Sequence, residues 1–358
     1  MFLEPFTLHL GPCSLNLEPL NPLGFQFWDQ AIAALPGRSC FHTSAWAAAL
    51  SKSYGYEPVY FTLREGNAIR AILPCMEVRS PLTGKRGVCL PFTDYCEPLA
   101  PDADQFKMLF DAALAFGRKR RWRYLEIRGG EAFHQDKDSS EQHHGHILDL
   151  TPGHEKLLAG LRDSTRRNIK KAQKEKIETA IAAAPEALAE FRRLNSMTRR
   201  DHGLPPQPKS FFDHLHDQIL SKSRGFVALA SFRGEAVAAN VYFHRGEEMI
   251  YKYGASNRAF QNLRSNNLVM WEAIRWGCAN GCRTLCFGRT EPDNDGLLQF
   301  KSGWGARERL IKYYRYDLRK GAFLKTAPGV HPSYKKIFNR LPIPVLEALG
   351  SLLYRHMG

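Results

Sequence analysis

One stretch of this chain occurs twice at a fixed spacing, and that repeat limits the architecture more than any other feature. Ala113-Leu-Ala-Phe-Gly117, four residues and Trp122-Arg-Tyr-Leu-Glu-Ile127 match Ala273-Ile-Arg-Trp-Gly277, four residues and Cys282-Arg-Thr-Leu-Cys-Phe287, every position shifted by 273 − 113 = 160. Each copy reads as a helix running into a strand. A second correspondence lies upstream of the first: 59–73 resembles 226–241, two β-type runs about a polar turn at Gly66 or Gly234. The chain therefore reads as one α+β unit used twice. The boundaries expected are 1–150 for the first domain and 151–320 for the second, with 321–358 an amphipathic tail packed on the first domain.

Composition fits that division. The chain has 358 residues, 44% hydrophobic and 24% charged, the balance of a folded chain rather than a disordered one, and long enough for two cores. With 50 Lys+Arg against 36 Asp+Glu it carries +14, which favours anionic partners. Met1-Phe-Leu-Glu-Pro5 has no basic segment leading into an apolar run, so no secretory signal is expected. The best apolar run, Leu341 to Leu353, is interrupted by prolines and Glu347 and is too short to span a bilayer. A cytoplasmic protein with reduced, buried thiols is the expectation, since eight cysteines are few for this length.

Thr43-Ser44 opens a helix, and Pro74 and Pro91 close the strands after it. Helices are expected at about 104–118, 155–176, from Pro185, and at 263–279, 297–301 and from Pro344. Strands are expected at 124–127, 226–232, 237–243, 249–253, 284–287 and 310–316. The polar stretch from Gln135 to Asp149, with His143, His144 and His146, reads as a solvated loop, and Leu204-Pro-Pro-Gln-Pro208 as a rigid one. Neither those histidines nor Cys278, Cys282 and Cys286, which recur every four residues, have the paired spacing of a structural metal site, so no metal ligand is expected.

Three segments carry candidate chemistry. The helix from Arg162 to Lys176 puts Arg162, Arg166, Lys170 and Lys174 at successive i+4 positions, with Arg167 and Lys171 on the next row. Such a row either binds phosphate, nucleic acid or an anionic membrane, or is a solvated face. The basic cluster Arg118-Lys-Arg-Arg-Trp-Arg123 complements a helix C-terminus. Asp94, in Leu90-Pro-Phe-Thr-Asp-Tyr95, either accepts a proton from an amine or caps its own turn.

Five motifs then occur in one order: the Leu90–Tyr95 loop, Ser164-Thr-Arg-Arg-Asn-Ile-Lys-Lys-Ala172, Tyr251-Lys-Tyr-Gly254, Trp271–Trp276 running on to Phe287-Gly-Arg289, and Phe300-Lys301 before Gly303 and Gly305. In this order and with the repeat, the chain resembles the FemAB family of peptidoglycan amino-acid transferases over nearly its whole length. The tail 339–350 is similar to the exosortase-associated branch. The resemblance implies two tandem GNAT-like domains of mixed, mostly antiparallel sheet, the active site in the cleft between halves, and direct attack of an acceptor amine on an activated acyl group. It also implies that Lys301, beside Phe300, is the electrostatic or proton-transferring residue at the reacting carbonyl, with Asp94 as base. Arg166, Arg167, Lys170, Tyr253, Gly254 and Arg289 would hold substrate. No cofactor is implied, because aminoacyl-tRNA or acyl-CoA enters as co-substrate. The acceptor would be an anionic cell-envelope or exopolysaccharide precursor, with the protein peripheral to the membrane's inner face.

The sequence departs from these patterns twice. The helices of 155–220 are too few for the long arm of tRNA-using relatives. Gln261-Asn-Leu-Arg-Ser-Asn266, where a GNAT enzyme has a glycine-rich turn for the CoA pyrophosphate, has no glycine, which disfavours CoA. Two other readings stand beside the transferase: a CoA-dependent acetyltransferase, and a silent basic module that binds membrane or nucleic acid through 162–176.

Overall fold

The computed structural model describes residues 6–8, 15–326 and 335–358. The first half runs β1 (Phe6–Leu8), β2 (Leu15–Leu20), α1 (Trp28–Ala31), α2 (Ser44–Tyr54), β3 (Glu57–Glu65), β4 (Ala68–Ser80), β5 (Gly84–Val88), α3 (Ala103–Arg120) and β6 (Tyr124–Arg128). The second runs β7 (Glu141–Asp149), α4 (His154–Gly160), α5 (Asp163–Lys174), β8 (Glu178–Ala182), α6 (Pro185–Asp201) and α7 (Lys209–Gln218), then β9 (Gly225–Phe232), β10 (Glu235–Arg245), β11 (Glu248–Ser256), α8 (Ser265–Ala279), β12 (Thr284–Thr290) and α9 (Asp295–Ser302). It ends with β13 (Arg307–Asp317), β14 (Ala322–Phe323), α10 (Lys335–Phe338) and α11 (Ile343–Leu353).

The chain divides into two units, Met1–Gln142 with Ile311–Pro328 and Arg355–Gly358, and His143–Leu310 with Gly329–Tyr354. In the first the strand order is β1-β2-β3-β4-β5-β6-β13, in the second β7-β12-β11-β10-β9-β8. Each is antiparallel except for one neighbouring pair, β5 with β6 and β11 with β12. This is the mixed, largely antiparallel α/β fold expected from the repeat. In the second unit α8 lies over its strands because Ala228, Ala230 and Ala238 are small, leaving room for Met270, Trp271 and Ile274.

The division differs from the expected boundaries. Residues 311–320 belong to the first unit because Tyr313–Asp317 pair with β6. Residues 143–150 belong to the second because β7 pairs with β12. The tail also goes elsewhere: α11 packs on α6 of the second unit, with Leu346 buried, Ser196 donating to Glu347 (2.8 Å) and Gly350 tight against the Pro206 carbonyl. The start of the tail, where β14 pairs with β13, and Arg355–Gly358 do join the first unit, Arg86 donating to the Gly358 and His356 carbonyls.

Three local expectations fail for identifiable reasons. Pro74 sits inside β4: Ile72 exchanges both backbone hydrogen bonds with Leu99, on the side away from β3, and Pro74 faces that same side before pairing with β5 begins, so no ladder bond is lost. The single helix 155–176 is two, because Gly160 ends α4 and Leu161 is buried in extended conformation before α5 starts. The histidine loop is the strand β7, with His143 and His146 buried.

Candidate active site

All the site elements described below lie in the second unit. β11 and β12 pair only from Glu248–Ile250 to Thr284–Cys286 and then part, β11 running on to Ser256 and β12 to Thr290. Beyond the end of β11, Asn257 caps a short 3-10 turn, its side-chain oxygen accepting from the Ala259 amide (3.0 Å). The turn ends at Arg264 in left-handed conformation (φ 61), and α8 starts there with no side-chain cap. α5 likewise starts at Arg162 with no side-chain cap. An uncapped N-terminus offers unsatisfied amides and a partial positive charge.

Both N-termini open on one cavity of about 390 Å³. Arg162, Ser164, Thr165 and Asn168 line it from α5, Ser256 and Asn257 from the end of β11, Gln261 and Arg264 to Asn267 from the start of α8, and Gly296, Gln299 and Phe300 from α9. The wall is polar, two of its side chains are cationic, and none is acidic. Arg162 is steadied by Ser302 (3.2 Å) and Asn266 by Ser256 (3.1 Å). α9 approaches α5 this closely because residue 303 is glycine: a Cβ there would lie 2.6 Å from Thr165 Oγ1. The Arg162 amide donates to the Gly303 carbonyl (3.3 Å).

Lys301 follows Phe300 but turns away from this wall. It is 1% exposed, and its Nζ donates to the carbonyls of Gly288 (3.3 Å) and Arg289 (3.0 Å). Those carbonyls are accessible because β12 bulges against β7 between Cys286 and Arg289, with Gly288 at φ 66, a conformation glycine adopts without strain. The ammonium thus sits where β12 has parted from β11. His146, buried on β7, is held below its ordinary value by burial first and by the Lys301 charge second. Arg289 itself donates to His143 Nε2 (3.1 Å) and pairs with Glu291 (3.4 Å), which also lies 2.9 Å from His143 Nδ1.

Of the residues expected from the sequence, Phe300 lines the cavity and Lys301 and Arg289 meet beside it at the β12 bulge. Arg166 pairs with Asp163 and reaches the Ala159 carbonyl (3.2 Å), while Arg167 and Lys170 are exposed on the outer side of α5, so of the cationic row Arg162 lines the cavity and these three do not. Tyr253 packs among Phe191, Phe211 and Phe212. Gly254 is required by close approach, since a Cβ there would meet the Tyr251 hydroxyl at 1.7 Å. Asp94 belongs to the first unit, half-buried in a loop with Leu90 and Phe92 at positive φ, its carbonyl oxygen accepting from the Tyr313 hydroxyl (2.5 Å). Sequence reasoning weighed Gln261–Asn266 as a donor turn and set it aside for want of a glycine, so Arg264 and the Ser265-Asn-Asn267 start of α8 were not expected to line the site. The signal was present as a polar run opening an apolar helix, but the left-handed residue was sought as glycine.

Residues 159–302 match the model of the acetyltransferase (GNAT) domain family. The chain carries a GNAT-type domain within those bounds. Its whole fold is that of tandem GNAT proteins. The structure of FemX is similar at 14% identity and a TM-score of 0.64, over 82% of this chain and 95% of FemX. A tandem GNAT protein from the clavulanic acid biosynthesis pathway is similar at 12% identity and 0.53, over 88% and 100%. L-PGS from Bacillus licheniformis is similar at 14% and 0.52, over 87% and 95%. The FemAB-like tandem fold that the motifs implied is therefore present. No protein of curated function shows significant sequence similarity to the chain.

Proposed function

We propose that the chain is an acyltransferase that moves an acyl or aminoacyl group onto an amine of a cell-envelope or exopolysaccharide-related acceptor. The observation that carries the reading is the cavity where the uncapped N-termini of α5 and α8 meet beside Phe300, with Arg162 and Arg264 at their caps. Such a wall suits the phosphates of an activated donor. The amine nitrogen bonds to the donor carbonyl, the carbonyl's bond to its ester oxygen or thioester sulfur breaks, and the amine loses a proton to a base or solvent. In this proposal Lys301 supplies positive charge near the developing oxyanion and holds the β12 bulge in place, and Arg289, steadied by His143 and Glu291, binds the acceptor's anionic part.

Acyl-CoA is a second donor beside aminoacyl-tRNA, and one feature favours it: Arg264 supplies the left-handed turn that a glycine was expected to supply. Both donors are cytoplasmic compounds, which places the proposed reaction there. The test is a parallel titration of purified protein with aminoacyl-tRNA and acyl-CoA at rising salt, followed by single-turnover transfer. Binding of one donor that weakens in Arg162→Gln and Arg264→Gln, with transfer lost in a folded Lys301→Met protein, supports the reading. Binding of neither donor, or full transfer by Lys301→Met, overturns it.

A further inference from the structure

α11 is apolar on both sides. Leu346 and Gly350 face α6, while Val345 (45% exposed) and Leu352 (66%) stand outward with Ala348 between them at helical spacing. A helix apolar all round is ordinarily covered all round. Just before it, Ile337 is 61% exposed. Among the described residues ten large hydrophobic side chains are exposed, and four of them, Ile337, Val345, Leu352 and Met357, come from residue 337 onward. Charge in the segment is one-sided: Lys335, Lys336, Arg340 and Arg355 against a single acid, Glu347, whose carboxylate already accepts from Ser196.

We infer that the outward face of α11 is a docking surface for an anionic membrane, the helix lying in the interface with Val345, Ala348 and Leu352 among the acyl chains. Flanking cations with a narrow apolar stripe are the pattern that anionic lipid surfaces attract. A second copy of the chain fits less well. The stripe is one short helix wide, far below the roughly 800 Å² per partner that a stable dimer buries, and the flanking charges of two copies repel. No helix among the described residues is long and apolar enough to cross a membrane, so the contact proposed is peripheral. The inference rests on α11 and its flanks and is independent of the transfer reaction.

The test is co-sedimentation of the full chain with vesicles of phosphatidylcholine plus phosphatidylglycerol, against pure phosphatidylcholine, at low and high salt. The wild type is expected to pellet with the anionic vesicles only and less at high salt, and Val345→Glu with Leu352→Glu to lower the bound fraction at least about tenfold. Both positions are solvent-exposed, and a thermal transition like the wild type's confirms the variant's fold; should it be lost, the serine pair replaces the glutamate pair. The inference is overturned if the wild type stays in solution with both vesicles, if the folded double variant binds as well as the wild type, or if light scattering shows a wild-type dimer that the variant dissolves.

Discussion

At Trp122 and at Cys282 the chain makes the same turn. The Trp122 amide donates to Gly117 and the Arg123 amide to Lys85, and 160 residues later the Cys282 amide donates to Gly277 and the Arg283 amide to Glu247. Both strands that follow pair in parallel with a neighbour, Leu125 opposite Gly87 and Leu285 opposite Met249. From the next position the copies diverge. In the first, Glu126 is buried between Arg128 and Arg315, Cys89 bonds to the Glu126 carbonyl and Cys96 bridges to Arg128, so the strand end is tied shut by charge and by a returning loop. In the second, Cys286 stands in place of Glu126, the strands part, and Lys301 holds the bulge that follows. The helices differ in the same sense. α3 is capped by the Asp102 carboxylate (2.8 Å to Gln105 N) with Asp104 in its first turn, whereas α8 starts uncapped at Arg264. One copy has neutralised the helix end that the other leaves open to an anion.

The largest expected effect comes from untying the first copy. Glu126→Gln leaves the half-buried Arg128 without its carboxylate and Arg315 with Glu141 alone at 3.6 Å, and should cost about 3 kcal/mol in chemical denaturation; a loss under about 1 kcal/mol would mean the strand end is held by the loop alone. The flanking arginines keep Glu126 at about 2 although burial opposes them. Its folded value is thus below its ordinary one, so its contribution is present at neutral pH and is lost as pH falls through about 4.5 toward 2. Glu77, held at about 2 by Arg120, Arg79 and Trp122 against its own burial, acts in the same window and sign. His134, which burial lowers to about 4, adds a loss beginning below its ordinary 6.5, because the unfolded chain protonates first. Acid titration of the wild type by circular dichroism should show these losses, and Glu126→Gln should flatten the lower part of the curve.

Next comes closing the second copy. Arg264→Asp would give α8 the acidic cap that α3 has, in a conformation aspartate tolerates. Donor binding by calorimetry should fall roughly a hundredfold while the thermal midpoint holds or rises. Unchanged binding would move the donor away from this helix end.

The smallest effect tests the shared turn. A Cβ at Gly117 would press on Leu318 at 2.7 Å and on the Trp122 ring at 2.8 Å, whereas at Gly277 it would meet the tips of Leu150 and Met249 at 3.1 Å. Gly117→Ala should therefore destabilise by about 1–3 kcal/mol. Gly277→Ala should lie within about 1 kcal/mol of the wild type, its crowding offset by better helix propensity. Equal losses would show that the two turns are packed alike.

Much of this was legible in the residues. The 160-residue repeat, the helix-to-strand turns at Gly117 and Gly277, and the hairpins at Gly66 and Gly234 follow from local spacing, and local spacing is what a sequence displays directly. The place of Phe300 and Gly303 was legible as a motif, though its reason, the approach to Thr165, was not. What misled was the assumption that chemistry follows composition. Of the conspicuous basic row, Arg166 pairs locally and Arg167 and Lys170 face outward, while its first member Arg162 lines the cavity with Arg264, a selection made by backbone turns that carry no residue signature of their own. The buried histidines of β7 read as loop because they are covered by segments more than 140 positions away, as Arg289 lies against His143.

The sequence by itself determined that one α+β unit is used twice, because helix period, strand alternation and turn residues are short-range properties. Only the tertiary structure decided which copy stays open. That choice depends on whether a strand end meets two arginines and a returning loop or a lysine and a bulge. The tail helix, too, found its place against α6 and the Pro206 carbonyl through contacts distant in sequence. Both are matters of long-range packing that no local pattern encodes.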